Sequence, residues 1–62
     1  MSAFTMTELV ECAQREVKQR HKVYARLVER GAMTQVAADR QIAMMLAIAE
    51  NLEAQAGAER LL

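Results

Sequence analysis

Residues 30–35, Arg-Gly-Ala-Met-Thr-Gln, decide the fold. Gly31 is one of two glycines in a 62-residue chain that has no proline. A glycine that ends a long run of helix formers marks a left-handed helix terminus, and Thr34, three residues on, offers the N-cap of a new helix. On either side of this turn the residues are mostly Ala, Leu, Met, Glu, Gln, Arg and Lys, the strong helix formers.

Upstream, Thr5 reads as an N-cap, and Glu8 completes a capping box. Phe4 and Leu9 stand at the spacing of a hydrophobic staple. Glu8 and Glu11 suit the positive end of the helix dipole, and Arg26 and Arg30 the negative end. The first helix is therefore predicted from Met6 to about Arg30. The second is predicted from Gln35 to about Gln55, with Asp39 near its start and an end before Gly57. Residues 1–4 and 57–62 are expected to fray. A link this short makes the helices antiparallel, so residues 1–62 form a single all-α domain, a two-helix αα-hairpin.

The first helix places Met6, Val10, Ala13, Val17, Arg20, Tyr24 and Leu27 at alternating steps of four and three, a coiled-coil seam that Leu9 and Val28 widen. The matching seam of the second helix is Ala38, Ile42, Met45, Ala49, Leu52 and Ala56. That helix also carries Met44, Leu46 and Ile48, within the unbroken apolar run Ile42–Ala49. At about 100° per residue its large apolar side chains span an arc of roughly 200°, more than one neighbouring helix covers. The reading is a homo-oligomer, two hairpins or more in a helical bundle, with Ile42, Met44, Met45, Leu46, Ile48, Ala49 and Leu52 at the interface. Docking of a different protein on this surface is the alternative.

Size points the same way. A compact monomer of 7.0 kDa exposes roughly 4,000 Å² of the roughly 10,000 Å² of its unfolded chain. The hydrophobic gain and the ordering cost then come to about 90 kcal/mol each, and a lone chain sits near zero net stability. One cysteine excludes an internal disulfide framework, and no apolar run reaches membrane-spanning length. The opening Met1-Ser2-Ala3-Phe4 lacks the pattern of a signal peptide, so the cytoplasm is the expected compartment. A formal net charge of zero and only one Tyr and one Phe make nucleic acid an unfavoured partner.

Charge is nevertheless partitioned. Arg15, Lys18, Lys22 and Arg26 fall within an arc of about 80° opposite the seam. This stripe reads as a solvated face supported by Glu11–Arg15 and Glu16–Arg20 pairs, or else as a weak nucleic-acid contact. Arg20 occupies a seam position beside His21 and one turn before Tyr24. The three read as a register-setting polar layer with Glu16 beside Arg20, or as an anion or nucleotide site at a subunit interface. His21 has no second ligand at metal spacing, so neither a metal nor a cofactor is expected. Cys12 lies more than two helical turns from His21, which argues against a thiolate nucleophile and against an enzyme. Cys12 reads instead as a small apolar filler.

Residues 4–53 resemble a group of small bacteriophage and prophage proteins. The likeness rests on TELVECAQREVKQRHKVY and VERGAMTQVAADRQIAMMLAI. Within these stand Cys12, Arg15, Glu16, Val17, Val23, Tyr24, Gly31, Met33, Thr34, Ala38, Asp39, Ile42, Ala43 and Met45. Many of those relatives carry proline and tryptophan just after the tyrosine, where this chain has Ala25 and Leu27. The resemblance implies a phage-encoded accessory protein in the bacterial host cytoplasm, with no activity to transfer. The expected function is therefore a non-enzymatic interaction protein that self-associates and binds a host or phage macromolecule. Sequestration of a phosphorylated nucleotide signal between subunits, an anti-defence role, is the alternative.

Overall fold

The computed structural model describes residues 3–61. Two helices, α1 (Met6–Glu29) and α2 (Gln35–Leu61), pack side by side as an antiparallel hairpin. The expected caps are all present. Glu8 N–H donates to Thr5 Oγ1 at 3.1 Å, and Thr5 N–H donates to Glu8 Oε1 at 3.3 Å, closing the capping box. At the other end Ala32 N–H donates to the Leu27 carbonyl at 2.8 Å and Gly31 N–H to that of Val28 at 3.0 Å. This is a Schellman turn, and Gly31 supplies its left-handed residue at φ +73°. Thr34 Oγ1 accepts from Ala37 N–H at 3.1 Å and starts α2, where Gln35 Nε2 donates to Asp39 Oδ1 at 2.8 Å.

One boundary differs from expectation. α2 does not end before Gly57 but runs through it to Leu61, so residues 57–61 are helical. A glycine inside a helix costs only about 1 kcal/mol relative to alanine. Ala54, Ala56 and Ala58 around it favour the helix, and Ala56 is buried, at 2% exposure. The expected fraying of Met1, Ser2 and Leu62 falls outside the described residues.

Both seams lie where the spacing puts them. Every seam position of α1, from Met6 to Leu27, is buried or half-buried, and so is every one of α2 from Ala38 to Ala56. The buried residues among those described are Val10 and four alanines, Ala13, Ala38, Ala49 and Ala56. None is larger than valine. Small side chains let helices approach closely but contribute little apolar area each. The hairpin measures 47 × 18 × 17 Å and exposes 5003 Å². That is about 1,000 Å² more than a compact monomer of this mass exposes.

Candidate functional site

Tyr24 is shared between Arg20, which bonds to it along α1, and His21, which lines a groove with it. The Arg20 guanidinium turns onto its own helix, where Nη1 donates to Tyr24 Oη at 2.9 Å. Its Nε lies 3.5 Å from Glu16 Oε2, at ion-pair distance but without hydrogen-bond geometry. An incoming anion would compete with the Glu16 carboxylate for this arginine. His21 faces elsewhere, with Tyr24 and Val28 in a shallow groove between the helices, opposite Asp39, Ile42 and Leu46. Arg20 does not line that groove. Helix geometry accounts for the split: successive residues differ by about 100°, so a seam residue and its neighbour look in different directions.

Arg15, Lys18, Lys22 and Arg26 are all exposed, and Lys18 also lines a depression between the helices with Leu46, Glu50 and Glu53. Among the described residues the ion pair formed is Glu16–Arg20, and the expected Glu11–Arg15 pair is not. Cys12 corrects another expectation: it is exposed, not a filler of the core. It sits one position before the seam residue Ala13 and is rotated away from α2, in a depression with Phe4 and Leu9 at the start of α1. The staple pair Phe4 and Leu9 thus border one surface feature, although Phe4 remains 60% exposed. His21 and Cys12 line separate depressions, and no group of three His, Cys, Asp or Glu could hold a metal ion among the described residues.

The seven residues expected at an oligomer interface divide into two sets. Ile42, Met45, Ala49 and Leu52 are buried or half-buried in the seam against α1. Met44, Leu46 and Ile48 point outward, at 43%, 41% and 51% exposure. Leu46 lies on the groove side with His21, and a second, polar link closes that side where Gln14 Nε2 donates to Glu53 Oε1. Met44 and Ile48 have the opposite helical phase, on the far side of the hairpin. There a pattern emerges that the sequence reading missed. Ala37, Gln41, Met44, Ile48, Asn51 and Gln55 also follow steps of four and three, and all six are exposed. The spacing was visible in the sequence, but four of the six residues are small or polar, and a search for apolar periodicity passes over them.

No described helix is long and apolar enough to cross a membrane. No protein-family model, curated protein or solved structure matches the chain.

Proposed function

We propose that this chain is a non-enzymatic interaction protein that works as a homo-oligomer joined through α2 and binds a host or phage macromolecule in the bacterial cytoplasm. The phage and host setting comes from the sequence resemblance. The assembly reading rests on one observation: the hairpin encloses only Val10 and four alanines among the described residues, while exposing about 1,000 Å² more than a compact monomer. A stable protein–protein interface of ordinary size removes about 800 Å² from each partner, so a single additional contact surface accounts for that excess. Val36, Met44, Leu46 and Ile48 are the large apolar side chains of α2 that α1 leaves uncovered.

Size-exclusion chromatography with light scattering tests the assembly. The expected mass at micromolar concentration is a multiple of 7.0 kDa. A monodisperse 7.0 kDa species would overturn the reading. The macromolecular target is sought by affinity capture from the bacterial host, comparing the assembled protein with a dissociated variant. A partner retained only by the assembly supports the proposal, and equal recovery by both forms detaches binding from assembly.

A further inference from the structure

The row Ala37, Gln41, Met44, Ile48, Asn51, Gln55 has a property beyond exposure. Laid antiparallel against a second copy of itself, with the two-fold axis midway between Met44 and Ile48, it matches itself layer by layer. Met44 meets Ile48 of the second copy, Gln41 meets Asn51, and Ala37 meets Gln55. Each layer joins a residue reached by a step of three to one reached by a step of four, as antiparallel coiled-coil packing requires. A two-fold contact must be self-complementary in this sense. Because this self-matching row is exposed throughout and uncharged, we infer that the chain forms a two-fold dimer in which the α2 helices pair antiparallel through it. The inference rests on the self-association reading above and assigns it a face and a register.

Chemistry favours this face over the other flank of α2. The row itself carries no charged side chain. Its apolar centre, Met44 and Ile48, is bordered by amides, and Asn51 Nδ2 already donates to the Ala47 carbonyl at 3.0 Å. That leaves the Asn51 carbonyl oxygen to accept from Gln41 of the second copy, a polar layer of the kind that specifies register. Pairing through Leu46 instead would set Asp39 across from Glu53 of the second copy, with Glu50 nearby. Like charges facing one another disfavour that arrangement. α1 adds to the chosen side. Gln14 faces Glu53 across the hairpin, and in that register Val23, 38% exposed, stands level with Met44.

Cysteine pairs read the register directly. In a Cys12→Ser background, the double variant Gln41→Cys/Asn51→Cys is oxidised mildly at micromolar concentration. Positions 41 and 51 of one helix are ~15 Å apart, too far for a disulfide within the chain. The expected product is one covalent dimer, while each single-cysteine variant crosslinks about tenfold or more slowly because it lacks a facing thiol. Ala37→Cys/Gln55→Cys probes the next layer with the same expectation and serves if the first pair disturbs folding. Rapid crosslinking of the single variants would mean parallel helices, and a ladder of higher species would mean a head-to-tail chain; either overturns the inference. Light scattering on the reduced samples separates the two readings. A dimer that resists crosslinking at both layers overturns this face and leaves self-association standing, whereas a monomer overturns both.

Discussion

Gly31 and Gly57 are the same residue type under opposite demands. Gly31 holds φ +73° in the Schellman turn, and a Cβ built there would meet nothing within 4 Å. Its requirement is conformational, not steric. Gly31→Ala should therefore destabilise the protein by about 1–2 kcal/mol, the penalty of a left-handed backbone for an L-residue with a Cβ. Gly57 lies inside α2, outside the left-handed region, and its Cβ position is likewise open. Gly57→Ala should stabilise by up to about 1 kcal/mol, because alanine restricts the unfolded chain and has the higher helix propensity. Urea denaturation of both variants at one protein concentration checks the pair, and shifts of the same sign would refute the assignment. At this scale too, Arg20 keeps its contacts on its own helix. Its hydrogen bond to Tyr24 and its ion pair with Glu16 stay within α1, and the Tyr24 bond occupies a donor that a phosphate would need.

Between elements, the contact of α1 with α2 depends on small residues at alternate levels. Ala38 is 1% exposed and Ala49 5%. Enlarging either should force the helices apart: Ala38→Leu is expected to cost about 1–3 kcal/mol, as overpacking of a filled core does. Ala54→Leu, on the exposed outer side of α2, should change stability by no more than about 0.5 kcal/mol. Thermal unfolding followed by circular dichroism distinguishes them. This contact was largely legible in the sequence, because steps of four and three have one solution on a helix and every residue from Met6 to Ala56 in the two series lies in the seam. Three features were not legible, each for a physical reason. The end of α2 was placed too early because the cost of a helical Gly57 is smaller than the combined preference of the alanines around it. Cys12 was read by its usual habit, whereas its angle on α1 turns it away from α2. The run Ile42–Ala49 announced too much apolar surface, and only the packed hairpin shows how much of it α1 covers, leaving Met44, Leu46 and Ile48 exposed.

For the whole molecule, stability and assembly should be one quantity. α2 has apolar side chains around much of its circumference, unlike the one-sided α1, and α1 covers one part of it. If the second copy covers the Met44–Ile48 side, the folded state contains a subunit contact, and mass action ties melting to concentration. The melting temperature of the native chain should rise with each dilution step reversed, from low to high micromolar. Ile48→Glu places a carboxylate in the central layer opposite Met44, where no cation on the row can pair with it. That variant should run at 7.0 kDa, melt at a lower temperature and lose the concentration dependence. Leu46→Glu makes the same chemical change at similar exposure on the other flank, so it should keep both the dimer mass and the concentration dependence. Calorimetric or dichroism melts of the three proteins across a concentration series decide the matter. Equal loss in both variants would mean that apolarity in general, not this face, holds the copies together. Loss in Leu46→Glu alone would move the contact to the groove side, against the repulsion between Asp39 and Glu53. The pattern expected here, loss in Ile48→Glu only, is the one in which the same uncharged row of α2 both completes the fold and selects the partner.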